Sequence, residues 1–459
     1  MAADAIHVNV PALIDARRIG RFQIQVAALC AAVVFMDGFD AQAIGYVAPS
    51  LSRAWNLPRG ALGPVISAGL FGLMLGALIF GPVADRVGRK PIIVFCTFSF
   101  GLCTLLTVTA ESTAGLLVWR FLTGLGLGGA MPNSIALTSE YSPSHSRATM
   151  VMVMFIGFSL GSALGGALAA QLIPIYGRTG VFWFGGILPL VLVPVLVFGL
   201  PESIRLLALR GGQDRRIAKL LARIDPALDF APGARFAASE AHPGGFPVAH
   251  LFSEGRAGAT LALWVMFFMN LLDLYFMASW LPTVIHDAGV SERLAVITTA
   301  LFQVGGAVGT LVLARLIDRF GAYGVLAAAY ATAGLFIAAI GQAGGIIGVI
   351  VPVVFGAGFC VVGAQIGANA LAATYYPTFI RSTGVGWALG IGRIGSIIGP
   401  LLGGLMLALQ WHIPTIFLAG AVPVFVAAGA VFAMGRMQRG AGAETRAPAA
   451  KLDEAGGGA

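Results

Sequence analysis

Asp37 and Asp40 stand three residues apart inside an otherwise apolar run from Phe22 to Pro49. At helical spacing they share one face. A carboxylate at the centre of a membrane helix costs roughly 2.5–3.5 kcal/mol on insertion scales, so two together call for a compensating environment or a use. The use expected is transport. A later apolar run repeats the arrangement as Asn270 and Asp273, flanked by Phe268, Tyr275 and Trp280. Polar groups at that depth need a partner or water, whereas each aromatic there equally suits lipid or a neighbouring helix. Arg120 is expected at the depth of Asp37 and Asp40, where a carboxylate pair facing a guanidinium can relay a proton; with Trp119 marking the interface, it can also snorkel outward. Arg393 lies among Gly390, Gly392, Gly395 and Gly399, about three turns inside its run. A cation there suits a substrate anion, or else a permanent pair with Asp273.

The elements that must position these residues are membrane helices. Of 459 residues, 58% are hydrophobic and 10% charged, against about 25% charged in a soluble domain. Stretches able to cross a ~30 Å core are expected at 22–48, 60–81, 91–110, 114–138, 147–170, 181–200, 259–282, 293–314, 323–341, 345–371, 383–408 and 413–434. With these spans, most of the 28 Lys and Arg fall on one side: Arg17, Arg18, Arg21, Arg86, Arg89, Lys90, Arg147, those from Arg205 to Arg256, Arg315, Arg319, Arg381 and the tail. The other side keeps Arg53, Arg59, Arg178 and Arg293. The positive-inside rule then puts both termini in the cytoplasm of a multi-pass inner-membrane protein. The net charge of +8 reflects topology and anionic lipid, not nucleic acid. Cys30, Cys96, Cys103 and Cys360 all lie inside spans without metal-ligand spacing, so no disulfide, metal or cofactor is expected. The first twenty or so residues are polar and lack a signal-peptide core; they read as a tail.

An internal repeat organises the chain. Asp40 and Pro49 recur at an offset of 233 as Asp273 and Pro282, as do Asp85-Arg86 and Gly88 at Asp318-Arg319 and Gly321. At 234, Pro143, Arg147, Gly161 and Gly165 recur as Pro377, Arg381, Gly395 and Gly399. The fold expected is all-α, with twelve transmembrane helices in two pseudo-symmetric six-helix bundles, and parallel halves of this kind bind substrate near the midplane. The domains read as a tail over 1–21, bundles over 22–200 and 259–434, a linker over 201–258, and a disordered Gly/Ala-rich tail over 435–459. Within the linker, 211–224 forms a basic amphipathic helix expected to lie along the membrane surface.

Between the second and third spans runs Gly81-Pro-Val-Ala-Asp85-Arg86-Val-Gly88-Arg89-Lys90, echoed at Arg315-Leu-Ile-Asp318-Arg319-Phe-Gly321. A basic loop alone would satisfy the positive-inside rule. The pattern, however, resembles the hallmark loop of the major facilitator superfamily. That resemblance implies a conformational latch in which Asp85 pairs near Arg147 and the segment Pro201-Glu202-Ser203-Ile-Arg205 closes the cluster. It also implies a buried role for Arg120, at the head of Arg120-Phe-Leu-Thr-Gly124-Leu-Gly126-Leu-Gly128-Gly129, whose glycines suit helix packing. Span five has the glycine spacing of the superfamily's antiporter signature without its proline, which leans away from drug antiport.

Asp37-Gly38-Phe39-Asp40 followed by Ala-Gln42-Ala-Ile-Gly-Tyr-Val-Ala-Pro-Ser is similar to the first helix of the aromatic acid:proton symporters of that superfamily. Leu-Thr-Ser-Glu140-Tyr, Trp280-Leu-Pro, Tyr375-Tyr-Pro-Thr-Phe-Ile-Arg381-Ser-Thr-Gly and Gly390-Ile-Gly-Arg393-Ile-Gly carry the same likeness. It implies proton-coupled import of a small aromatic carboxylate such as 4-hydroxybenzoate, benzoate or protocatechuate by alternating access. Asp37, Asp40 and Arg120 would handle protons. Arg393 would read the carboxylate, with Asp273 nearby, Phe268, Tyr275 and Trp387 around the ring, and Asn270 or Gln42 on a hydroxyl. Gly81, Asp85, Arg86, Gly88, Arg89, Glu140, Arg147, Asp318, Arg319 and Arg381 would gate, although Glu140 alone also reads as a solvated acid. The expected partners are the substrate, protons and lipid, for a monomer. Rival readings are a carrier for another organic anion, a sugar or a drug, and an aromatic-acid chemoreceptor without flux. No nucleophile–base pair, metal set or phosphate loop points to an enzyme.

Overall fold

Helices long and apolar enough to cross a bilayer make up most of the described residues. The computed structural model describes residues 7–58, 60–226, 228, 230, 234–237, 249–253, 255–376 and 381–455. In order these form β1 (His7–Asn9), α1 (Val10–Asp15), α2 (Arg21–Ala54), α3 (Gly63–Val87), α4 (Arg89–Leu106), α5 (Thr113–Tyr141), α6 (Arg147–Gly199), α7 (Ile204–Arg210), α8 (Asp214–Ile224), β2 (Arg235–Ala237), α9 (Ala257–Asp287), α10 (Glu292–Phe320), α11 (Ala322–Gln342), α12 (Ile347–Tyr375), α13 (Arg381–Ala408) and α14 (Ile413–Ala455). Among the described residues, eleven helices meet the length and hydropathy of a membrane span. One of them, α6, is 53 residues long and breaks at Gly177 (φ 66°, ψ −169°). It therefore supplies both the fifth and sixth expected spans, and twelve crossings result. Side chains such as Leu78, Phe198 and Leu335 are exposed, Phe198 by 88%; a surface that apolar is stable against lipid.

The chain divides into two units. The first comprises Met1–His242 with Ser291–Ala300, the opening turns of α10; the second comprises Pro243–Val290 with Leu301–Ala459. Within each, the repeated glycines let helices touch backbone to backbone. In the first unit α2 lies against α6 so closely that a Cβ on Gly161 would fall 1.9 Å from the Phe35 carbonyl oxygen, and one on Gly38 2.1 Å from that of Phe158. In the second unit α9 meets α13 the same way: a Cβ on Gly395 would fall 2.2 Å from the Phe268 oxygen, and one on Gly399 2.3 Å from that of Leu272. The sequence repeat is thus a repeat of contacts.

Three expectations outside the spans need correction. From His7 onward the N-terminal stretch is more than a tail: β1 pairs in parallel with β2, His7 opposite Arg235 and Asn9 opposite Ala237. Nor does the basic helix of the linker lie along a membrane surface. Ile217, Leu221 and Ile224, one stripe of α8, are buried in a cluster with Phe22, Tyr141, Leu200 and Phe236. The stripe finds its apolar partner in the first unit rather than in lipid, and Arg223 covers the Phe22 ring at 4.1 Å. An Arg17–Asp225 ion pair at 3.1 Å closes the same assembly. At the other end, α14 is helical to Ala455 where disorder was expected, in keeping with the helix propensity of its many alanines.

Candidate functional site

In the first unit the polar centre is built on α2. Gly38 faces α6, and residues two apart on a helix point about 200° apart, so Asp40 is turned away from α6 toward α4 and α5. There the Thr104 hydroxyl of α4 donates to Asp40 Oδ1 at 2.8 Å. Arg120 of α5 donates from Nη1 to the same oxygen at 3.1 Å and from Nη2 to the Asp40 main-chain carbonyl at 3.1 Å. Nη2 also lies 3.0 Å from Oδ2. Arg120 is 4% exposed and Asp40 fully buried, so the guanidinium does not snorkel. Asp37 and Gln42 are buried in the same helix. Such an assembly holds an ion pair in one fixed orientation away from water.

Thr104 was not singled out by the sequence. A threonine in an apolar span ordinarily bonds to its own helix, and nothing local marks this one as a donor to another.

In the second unit the polar residues form two groups. The close contact of Gly392, Gly395 and Gly399 with α9 brings Arg393 to Tyr275, whose hydroxyl accepts from Nη1 at 3.2 Å. No carboxylate pairs with Arg393 among the described residues, which removes the permanent pair with Asp273. Geometry explains why: Asp273 and Tyr275 leave α9 about 200° apart. A guanidinium beside a tyrosine hydroxyl that has accepted one hydrogen bond and still holds its own proton is a two-donor site for a carboxylate.

The second group joins α9 to α12. The Asn270 amide donates to Gln365, and Gln365 donates onward to Asn369 at 3.4 Å. Asp273 is buried, and neither of its carboxylate oxygens meets a hydrogen-bond partner among the described residues. Gln365 and Asn369 went unnoticed in the sequence, although two amides four residues apart in an apolar helix share a face and were a usable signal. Phe268 lends its carbonyl to the α13 contact. Trp387 is stacked on Trp264 with centroids 5.7 Å apart, six residues, or about 9 Å, along α9 from Asn270; it joins neither group.

In the segment expected to close the latch, Glu202 gathers the hydrogen bonds. Its Oε1 accepts from the main-chain N–H groups of Arg89 (2.9 Å), Lys90 (3.3 Å) and Ser203 (2.8 Å). It thereby satisfies orphan donors at the start of α4 with a charge of the favourable sign. Gly88 adopts φ 130°, and a Cβ there would fall 2.4 Å from Glu202, so only glycine admits the carboxylate. Glu140 is no solvated acid: it accepts from Arg89 Nε at 2.6 Å and from the Ser203 hydroxyl. The Arg86 carbonyl accepts from Arg210, and Gly81 has open space beside it. Arg147 lies 3.7 Å from Asp15 of α1. The side chains of Asp85 and Arg381 lie outside the described residues. Asp318 and Arg319 are exposed, and Arg319 sits over the Phe320 ring at 5.2 Å, so the second copy of the loop pattern shows no matching cluster among the described residues.

Comparison with known proteins follows the same lines. The sequence profile of the Major Facilitator Superfamily matches residues 30–228 and 263–455. A gallate transporter of Pseudomonas putida is 44% identical over 96% of this chain and 98% of its own. A 4-hydroxybenzoate transporter of Pseudomonas aeruginosa is 41% identical over 93% of this chain and 96% of its own, and a benzoate transport protein of Acinetobacter baylyi is 35% identical over 93% and 92%. Among solved structures, a bacterial homologue of the human lysosomal transporter Spinster superposes with a TM-score of 0.68 at 17% identity, covering 91% of this chain and 98% of its own. A D-xylose–proton symporter gives 0.66 at 15% identity, over 88% and 97%. These two similarities speak for the fold.

Proposed function

The chain belongs to the Major Facilitator Superfamily, in its aromatic acid transporter branch, and is a transporter rather than an enzyme; from that premise we propose that it is a symporter importing a hydroxylated benzoate together with protons by alternating access. The observation that carries this reading is Arg393, a partly buried cation whose guanidinium meets the Tyr275 hydroxyl and no carboxylate among the described residues. The substrate carboxylate takes that place, bound by Arg393 and by the proton of Tyr275. Ring hydroxyls are read by the amides of Asn270 and Gln365, which lie in the same unit as Arg393. Names of relatives favour hydroxylated rings: gallate and 4-hydroxybenzoate are the substrates given for two of them.

Protons are handled in the first unit. Uptake of a proton by Asp40 frees Arg120, and uptake there or at its neighbour Asp37 changes the charge that must be carried through reorientation. Coupling has an electrical reason as well, since importing one anion against an inside-negative potential costs about 2.3 kcal/mol per 100 mV, which a co-transported proton cancels. The latch of Arg89, Glu140 and Glu202 is assigned to the cytoplasmic side, and breaks and reforms as the halves alternate.

The test is uptake of labelled 4-hydroxybenzoate and gallate into proteoliposomes. An imposed inward proton gradient should drive accumulation, with external benzoate a weaker competitor than either. Uptake indifferent to collapse of the pH gradient and potential would sink the symport reading.

A further inference from the structure

Three of the four basic residues that the span assignment leaves on the side opposite the basic loops line one cavity in the first unit. It has a volume of about 410 Å³ and is walled by Ser50, Arg53, Ile173, Arg178, Glu292 and Arg293, among others. The fourth, Arg59, lies outside the described residues. Arg53 is ion-paired with Glu292. Arg178 and Arg293 have no carboxylate partner among the described residues, and Arg178 instead lies over the Trp55 ring, 5.5 Å from its centroid. The break at Gly177 turns the chain beside the cavity, and a Cβ there would meet nothing within 4 Å, so the space next to Arg178 is open. A volume of this size falls within the ~300–1,000 Å³ typical of small-molecule sites.

Charge is what needs explaining. Loops on the side away from the cytoplasm are poor in Lys and Arg, yet here three guanidiniums face one cavity with a single acid among them. Concave walls of one sign concentrate counter-ions and raise their rate of arrival. The aliphatic lining beside the guanidiniums, Ile173 and Val296 among it, also suits an organic anion better than an inorganic one.

We propose that this cavity is a capture site for small aromatic carboxylates, which Arg178 and Arg293 hold before transport. The proposal rests on the functional reading above. Arg53 is its structural member, tied to Glu292, while the two unpaired arginines supply the binding charge.

The test uses full-length protein in proteoliposomes of zwitterionic lipid, with labelled 4-hydroxybenzoate as the probe. Replacing both Arg178→Gln and Arg293→Gln should raise the half-saturation concentration for influx about tenfold at low salt, leave the maximal rate within twofold, and leave counterflow from the opposite face unchanged. The difference should shrink at high ionic strength, and Arg178→Lys with Arg293→Lys should recover most of it. An unchanged half-saturation concentration, or an equal loss from both faces, overturns the capture site. So does an effect that appears only when phosphatidylglycerol is present, which would mean that the cavity takes a lipid phosphate. Wild-type protein that takes up no aromatic carboxylate at all sinks the functional reading instead, so the two failures are distinct.

Discussion

Arg120 holds Asp40 at two places, its guanidinium 3.0 Å from the carboxylate and 3.1 Å from the main-chain carbonyl of the same residue. Removing one member of such a pair strands the other in a buried site. Asp40→Asn is therefore expected to abolish gradient-driven uptake and to destabilise the protein by about 3–5 kcal/mol. The double variant Asp40→Asn with Arg120→Gln should regain most of the stability and none of the coupling. Thermal unfolding in detergent, alongside uptake, separates the two effects; Asp40→Asn with wild-type coupling would remove Asp40 from proton handling.

Arg393 and Tyr275 should affect binding in graded fashion. Charge-assisted hydrogen bonds contribute about 1.5–3 kcal/mol and neutral ones about 1, so Arg393→Ala should weaken 4-hydroxybenzoate binding by at least about tenfold and Tyr275→Phe by about fivefold. Arg393→Lys should recover only part of the loss, because one ammonium cannot reach both the hydroxyl and a carboxylate as a planar fork does. Equilibrium binding to purified protein is the measurement, and wild-type affinity in Arg393→Ala would move the anion site elsewhere.

The glycine contacts make a prediction independent of function. Gly395→Val would drive side-chain atoms into the Phe268 carbonyl, where even a Cβ comes within 2.2 Å; separating α9 from α13 should cost at least about 1–3 kcal/mol. Gly390→Ala, on the same helix with nothing within 4 Å, should be neutral or slightly stabilising. Expression level and melting temperature of the two variants suffice, and equal behaviour would contradict the close packing.

Glu202 should matter to rate rather than to recognition. Glu202→Ala leaves the N–H groups of Arg89 and Lys90 without their acceptor, at a cost of about 0.5–2 kcal/mol by analogy with a lost helix cap. Maximal uptake should fall while the affinity for 4-hydroxybenzoate in detergent stays within twofold. A matched fall in both would mean that the residue supports the whole first unit and not a latch.

Where the sequence was informative, the signal was periodic or costly. The glycines of the repeat mark helix contacts because small residues recur at fixed offsets, and Asp40, Arg120 and Arg393 stand out because a charge in an apolar run needs a reason. Thr104 carried no such mark, since a lone hydroxyl in a membrane helix is cheap enough to occur for packing alone, whereas Gln365 and Asn369 were legible only as a pair of amides sharing one face. Tyr275 was foreseen as a wall for the ring, whereas its hydroxyl is the partner of Arg393; composition does not tell which end of a tyrosine is used. The placement of α8 was missed for a different reason. An amphipathic basic helix fits a bilayer surface and a protein surface equally well, and only the long-range cluster of Ile217, Leu221 and Ile224 with Phe22 and Tyr141 decides between them.

The pairing of β1 with β2 also bears on how the polypeptide can be divided. A cut made directly after α6, at the end of the sixth crossing, would separate the strand at His7–Asn9 from the strand that completes it and strip Phe22 of the α8 stripe. The natural seam lies some forty residues later, beyond Ala237, so a two-piece version of this transporter should carry the whole of α7, α8 and β2 on its leading piece.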